Sequence, residues 1–162
     1  MWGNIYEDKD YYNNVVCPLY SKVFNLKVVA HEKKSNSVYG FYICNKEVID
    51  FFRSLGFTNK KTYNVRIPEI VMKSEDKKIW IAFIRGFADC DGSFSLMRRK
   101  GKYKEFKLKY NTYPRIEMGS VSREIILQIG SLLNKLNIRH TINTYKSKVL
   151  NEKPSHKLMI RG

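Results

Sequence analysis

Cysteine and histidine are scarce in this chain of 162 residues, and each shortage excludes a class of site. The three cysteines, Cys17, Cys44 and Cys90, are odd in number and widely spaced. An odd number of widely spaced cysteines indicates free thiols rather than a disulfide framework. Because no pair has C-x-x-C spacing, a structural zinc site is not expected either. The three histidines stand apart in the sequence. No Ser-His or Cys-His catalytic pair is therefore indicated.

Long apolar runs are missing as well. No stretch approaches the roughly 20 residues that a membrane-spanning helix needs. The first ten residues lack the basic start and apolar stretch of a secretory signal. Cysteine usage of this kind is typical of a reducing compartment. We therefore expect no membrane partner, no secretion, and a location in the cytoplasm or an organellar matrix.

Acidic residues are outnumbered two to one, with 15 Asp and Glu against 30 Lys and Arg, a formal charge of +15. A folded chain with that excess repels itself, which indicates a polyanionic partner. Nucleic acid is the favoured interpretation, with an anionic membrane surface or simple solubility as alternatives. A hydrophobic content of 43% excludes a wholly disordered chain.

The apolar periodicity predicts an α+β fold, because hairpins alternate with helices along the chain. Ser74 is predicted to cap the central helix, and Gly92 to end it in the left-handed conformation. The predicted order is a helix at 8–24, strands at 24–30 and 37–44, short helices after Asn45 and Pro68, the central helix to Cys90, strands at 93–99 and 105–118, a helix at 122–136, and strands at 139–145 and 156–160.

The central helix carries a face of small side chains. Ala82, Gly86 and Cys90 recur every four residues, so another helix could approach this face closely. The alternative is an ordinary buried core helix. Flanking residues are expected to pack around the face, namely Ile79, Phe83 and Phe87.

Two acids, Asp89 and Asp91, fall at the C-terminal end of that helix. The helix dipole is negative there, so each carboxylate costs about 0.3–1 kcal/mol. A divalent cation such as Mg²⁺ would compensate, since it prefers hard oxygen ligands. The alternative is that both are solvated aspartates in a turn.

The segment Ile84-Arg-Gly-Phe-Ala-Asp-Cys-Asp-Gly92 resembles the LAGLIDADG motif of homing endonucleases, which occur in mobile introns and inteins. Its two acids and two glycines stand at the motif's own positions, whereas Arg85 replaces an alanine. The similarity extends over nearly the whole chain. Residues 45–56, Lys60, Lys61 and 66–70 resemble the segment before the second motif of two-motif members, and 113–116 and 121–125 resemble the segment after it.

This resemblance implies a saddle of antiparallel strands with helices on one face and the motif helix at its centre. That helix would pack against a second motif helix through Ala82, Gly86 and Cys90. Residues 1–73 would be a partial first α/β repeat lacking its own motif helix, and 74–162 the motif helix plus a second ββαββ repeat. Because one-motif members act as homodimers, a homodimer paired through this helix is implied.

The resemblance also implies a site-specific endonuclease that hydrolyses phosphodiester bonds in double-stranded DNA with Mg²⁺ or another divalent cation such as Mn²⁺. Asp91 would bind the metal, Asp89 would assist or structure the helix end, and Lys61 would lie near the scissile phosphates. The alternative is a non-catalytic nucleic-acid binder, either an RNA maturase-like splicing helper or a degenerate, truncated endonuclease. Intron and intein origins both remain open.

A basic strand pair is expected to form the DNA surface. Apolar and polar residues alternate from Phe106, and residues 98–115 carry eight bases and one acid. Such a sheet, apolar under a helix and basic outside, is suited to lie along DNA. The alternative is a solvated antiparallel face. The predicted contacts are Arg98, Arg99, Lys100, Lys107, Lys109, Asn111 and Arg115, of which Asn111 and Arg115 could read base edges.

Overall fold

The computed structural model describes residues 1–33, 37–57, 63–98, 112–146 and 153–161. The chain divides into two compact units, Met1–Ser54 and Leu55–Gly162. The second unit contains 23 of the 30 basic residues and nine of the 15 acidic ones, so it carries nearly all of the excess charge. None of the helices in the described ranges is long and apolar enough to cross a membrane.

The first unit joins a helical stretch to a small antiparallel sheet. The predicted helix is present as α1 (Lys9–Tyr11), a π-helical turn (Tyr12–Val16) and α2 (Cys17–Phe24). The sheet has the order β1-β3-β2, from β1 (Trp2–Asn4), β2 (His31–Lys33) and β3 (Val38–Gly40). Its core includes Tyr12, Val16, Tyr39 and Phe41.

The predicted strand at 24–30 is wrong. Asn25 takes a left-handed conformation and its amide donates to the carbonyl oxygen of Ser21, which ends α2 and turns the chain. Strand pairing then begins only at His31. The next helix, α3 (Lys46–Ser54), follows the prediction: Asn45 Oδ1 accepts from the Val48 amide at 3.1 Å, and Gly56 beyond its end has φ +89°.

The second unit has the predicted mixed order of helices and hairpins. Its helices are α4 (Glu69–Lys73), α5 (Lys77–Asp91) and α6 (Arg123–Lys135). Its strands are β4 (Gly92–Arg98), β5 (Thr112–Ser120), β6 (Thr141–Tyr145) and β7 (Ser155–Arg161), which pair antiparallel in the order β4-β5-β7-β6. The α+β fold is therefore confirmed.

Strand alternation separates the two faces of this sheet. Met118 lies opposite Leu158, which lies opposite Ile142, and these side chains pack with the apolar face of α6. This is the inner face. The next register row, Glu117, Met159 and Thr141, points the other way. The described outer face comprises Ser93, Ser95, Arg115, Glu117, Gly119, Thr141, Asn143, Tyr145, Ser155, Lys157, Met159 and Arg161.

The extended segment before Pro68 is fixed to α6. Ser122 Oγ donates to the Val65 carbonyl oxygen at 2.8 Å, and the Ile67 amide donates to Gln128 Oε1 at 2.8 Å. Ile67 itself is part of the second unit's core. Residues 55–73 thus group with the motif helix, and the interpretation of 1–73 as a partial repeat stays a prediction.

Candidate functional site: the motif helix and the outer face of its sheet

Asp76 begins the motif helix, α5. Its side chain accepts a hydrogen bond from the Lys78 amide at 2.8 Å, so the prediction that Ser74 caps the helix is wrong. Ser74 Oγ instead accepts from the Asp76 amide, and the Ser74 carbonyl oxygen accepts from Trp80 Nε1 at 3.0 Å. Both residues therefore stabilise the helix start, because the extended Asp76 can reach the first amides while Ser74 anchors the first turn.

One side of α5 packs into the core of the second unit. Trp80 is buried there, with Lys135 Nζ 4.9 Å from its ring centroid. The side chains that continue this contact are Phe83, Ile84, Phe87 and Ala88. Ile79, which was predicted to flank the face of small side chains, is 43% exposed on that side of the helix.

The opposite side of α5 is open. Ala82, Gly86 and Cys90 are all exposed. A Cβ built at Gly86 would meet nothing within 4 Å. This surface therefore has room for another helix, and its pairing with a second motif helix stays a prediction. The thiols of all three cysteines, which lie in the described ranges, form no disulfide.

The two acids at the end of α5 have different surroundings. Asp89 lies 3.7 Å from Arg85 Nε, a salt bridge between residues four apart, and its side chain is 39% exposed. Arg85, the residue that departs from the motif's alanine, thus supplies a positive charge where the helix dipole is unfavourable to a carboxylate. Asp91 is exposed and directly precedes β4.

Gly92 does not adopt the predicted left-handed conformation. Its φ is −94° and its ψ 160°, so the chain passes directly from helix into strand. A Cβ there would overlap the carbonyl oxygen of Ala88. Glycine is therefore needed for close approach rather than for a positive φ.

Carboxylate oxygens are the ligands that a hard divalent cation prefers, so the donor chemistry of Asp89 and Asp91 fits such an ion. Within the described ranges, no group of three or more His, Cys, Asp or Glu side chains is arranged to hold a metal. A single helix end thus offers part of a ligand set.

The middle of the outer face holds an ion cluster of three residues, Arg115, Glu117 and Lys157. Arg115 Nη2 donates to Glu117 Oε2, and Lys157 Nζ donates to Glu117 Oε1 at 2.5 Å. The Lys157 hydrogen bond, with the attraction of both cations, holds the pKa of Glu117 below its usual value, although partial burial opposes this shift. The carboxylate is therefore charged and shared between two strands.

Polar groups surround this cluster. Arg161 lies directly opposite Arg115 in the β5–β7 register, and Asn143 lies opposite Lys157 in the β6–β7 register. Guanidinium and amide side chains of this kind can bind base edges or phosphates. Sequence reasoning missed Glu117, Asn143 and Arg161, although period-two alternation in β6 and β7 could have found the last two.

The other predicted contacts are largely beyond the described residues. Lys61, Arg99, Lys100, Lys107, Lys109 and Asn111 all lie outside those ranges. Arg98 ends β4, where its backbone pairs with Thr112. Arg115 is thus the predicted DNA contact that the structure places on the outer face, and there it binds Glu117.

Comparison with known proteins identifies a family. The LAGLIDADG-like domain matches residues 79–162, just over half of the chain, from the motif helix to the last strand. Two curated relatives are also similar to this chain. The replication factor C small subunit of Methanocaldococcus jannaschii is 41% identical over 51 residues, 32% of this chain. An A-type ATP synthase subunit of Pyrococcus abyssi is 28% identical over 147 residues, 89% of this chain.

The chain spans only a small part of each relative. The matched segment is 12% of the ATP synthase protein and 3% of the replication factor protein. These two proteins have unrelated names, yet each contains a segment similar to this chain.

Proposed function

Since the chain belongs to the LAGLIDADG-like domain family, whose members are homing endonucleases or maturase-like nucleic-acid binders, we propose that it is a site-specific endonuclease of the homing type. It hydrolyses phosphodiester bonds in double-stranded DNA with a divalent metal. The observation that carries the proposal is the retained acid pair Asp89 and Asp91, at the point where the motif helix leads into a sheet with a polar outer face.

Asp91 is the metal ligand in this proposal. It is exposed at the last position of α5, and Asp89, two residues earlier, pairs with Arg85 and structures the helix end. A bound Mg²⁺ or Mn²⁺ supplies activation of water and neutralisation of the leaving oxygen. Lys61, which lies outside the described residues, is proposed to offset negative charge on the scissile phosphate.

A second copy of the chain completes the catalytic unit. Cutting both DNA strands requires acids from two motif helices, and one chain contributes a single motif helix. The open surface of Ala82, Gly86 and Cys90 supports pairing through α5, because small side chains let two helix backbones approach closely. We therefore propose a homodimer with α5 against α5.

The comparisons support an origin in a mobile inserted element. A segment that occurs as a minor part of two proteins with unrelated names is expected of an element that inserts into different hosts. Among the two origins that the motif allows, such a distribution within protein chains favours an intein over an intron.

The proposal is tested by cutting a plasmid library that carries random target sequences, with Mg²⁺ and with EDTA. Discrete, Mg²⁺-dependent cuts are expected, and Asp91→Asn should abolish them. Asp50→Asn is the matched control, because Asp50 is an exposed aspartate in the first unit, where it forms a surface ion pair with Arg53.

Two outcomes contradict the proposal. Absence of cutting at any target excludes the endonuclease activity. Binding that persists in EDTA, survives Asp91→Asn and prefers RNA to DNA favours a maturase-like binder instead.

A further inference from the structure

Glu117 is the only acidic residue among those that the structure describes on the outer face. The face otherwise presents Arg115, Lys157 and Arg161 with hydroxyl and amide groups. An acid on a surface proposed to bind DNA repels phosphate and weakens the binding. Its presence there therefore indicates a role other than phosphate binding.

The register explains how Glu117 holds two cations. Arg115 is two residues away on the same strand, so both side chains share the outer face. Lys157 lies opposite Gly119 rather than opposite Glu117. Lys157 crosses diagonally past Gly119, where a Cβ would make only an ordinary 3.8 Å contact with its Cγ, and reaches Glu117 Oε1 at 2.5 Å.

Arg115 is thereby held against the sheet. Its Nη2 donates to Glu117 and lies 2.9 Å from Met159 Sδ, and its side chain is only 18% exposed. Its Nε is buried without a hydrogen-bond partner. A buried N–H group without a partner costs free energy, and an arginine that reached out to a phosphate would expose it. The contact with Glu117 is therefore needed to hold Arg115 in this position.

We propose that Glu117 is a specificity-determining residue, which holds Arg115 and Lys157 on the floor of the sheet and keeps them from binding phosphates indiscriminately. This inference rests on the DNA binding in the proposed function. Phosphate contacts add affinity without sequence information, whereas groups held at defined positions can discriminate base edges.

Releasing both cations has a measurable consequence. In Glu117→Gln, the neutral amide attracts Arg115 and Lys157 less strongly, and each becomes free to bind a phosphate. Every added phosphate contact steepens the dependence of log affinity on log salt by about 0.9. We expect a slope steeper by about 1–2, tighter binding to random duplex, and a loss of about tenfold in discrimination between a selected target and random duplex.

The test measures fluorescence anisotropy of wild type and Glu117→Gln with two probes, a random-sequence duplex and a duplex selected from a random library by the wild type. Binding is measured across a potassium chloride series in EDTA. Glu69→Gln is the matched control: it removes the same charge from the second unit, where Glu69 pairs with Lys73 at 2.7 Å on the exposed surface of α4. A Glu117→Gln protein with the same slope and discrimination as Glu69→Gln overturns the inference.

A second readout covers the case in which Glu117→Gln folds poorly. Glu117→Asp keeps the negative charge and should restore at least part of the discrimination. Where Glu117→Gln folds, NMR of the arginine Nε–H groups in the free protein should show slow solvent exchange for Arg115 in wild type and faster exchange in the variant. Equal exchange rates in the two proteins contradict the positioning role.

Failure of the proposed function gives a different pattern. If the wild type binds duplex DNA but does not cut it, the nuclease proposal fails, and the binding comparison still decides the role of Glu117. If the wild type does not bind duplex DNA, both proposals fall.

Discussion

The Gly92 amide donates a hydrogen bond to the carbonyl oxygen of Ala88, and a side-chain carbon at Gly92 would collide with that same oxygen. The last turn of the motif helix therefore closes onto the first residue of β4. Asp91 lies in the chain between Ala88 and Gly92, so its position is set by backbone packing that only glycine allows.

Gly92→Ala should lower the free energy of unfolding by about 1–3 kcal/mol, because the backbone must shift to admit a methyl group. Thermal or urea unfolding measures the change. Gly119→Ala is the control, since a Cβ at Gly119 meets its nearest neighbour at an ordinary 3.8 Å. Equal stability of the two variants would contradict the close approach at Gly92.

Two substitutions at Gly86 should separate the stability of the monomer from its association. A Cβ there meets nothing within 4 Å, so Gly86→Ala should stabilise the dilute monomer by about 0.5–1 kcal/mol through helix propensity. Gly86→Leu should fold as the wild type does but associate more weakly than the wild type, because the bulk of leucine separates two helices that approach at this position.

The measurements at Gly86 are unfolding at low protein concentration and sedimentation over a concentration series. Gly56→Ala is the contrasting variant. It should lower the free energy of unfolding, since Gly56 has φ +89°, a conformation that alanine adopts only at a cost. A Gly86→Leu protein that dimerises as strongly as the wild type would exclude pairing through this face.

Arg85→Ala, which restores the alanine of the motif name, should leave stability within about 0.5 kcal/mol, because its salt bridge with Asp89 is exposed. Removing the cation should lower the Mg²⁺ concentration that gives half-maximal cutting, since the positive charge of Arg85 beside Asp89 competes electrostatically with the metal at the helix end. Arg53→Ala, which removes a comparable surface partner from Asp50, should leave this concentration unchanged. A Mg²⁺ requirement unaltered by Arg85→Ala would argue against this competition.

The stabilising effect of Glu117 should depend on pH. Its pKa is lowered in the folded chain, so its contribution is present above the unfolded value of about 4.3 and disappears as pH falls through the folded value. At pH 7, Glu117→Gln should lose about 1–3 kcal/mol of stability, and this difference from wild type should shrink below about pH 4.

Unfolding free energies of wild type and Glu117→Gln between about pH 3 and 8 measure this dependence. A difference that is independent of pH would show that the loss comes from packing rather than charge. Salt should weaken the effect only partly, since the Glu117 side chain is 17% exposed.

Local sequence patterns predicted the helices well. The apolar spacing of residues 123–135 and the Asn45 cap depend on neighbours within one or two turns, which a sequence displays directly. The predicted strand at 24–30 is wrong because Asn25 ends α2 in a left-handed conformation. Strand pairing starts only at His31, which lies opposite Gly40, a long-range contact that the local sequence does not show.

Some features of the candidate site were likewise predictable from the sequence, and others were not. The sequence alone determined the motif, its two acids, the small-residue face and the charge excess, because these depend on residue type and short spacing. Only the tertiary structure decided that Arg115, Glu117 and Lys157 form one cluster, since Lys157 is 40 residues from Glu117 and meets it through the pairing of β5 with β7. The hydrophobic pattern indicates which face of a strand is buried, but no hairpin turn joins β5 to β7, because α6 and β6 lie between them. Which residues of these two strands lie opposite each other is therefore set by tertiary packing.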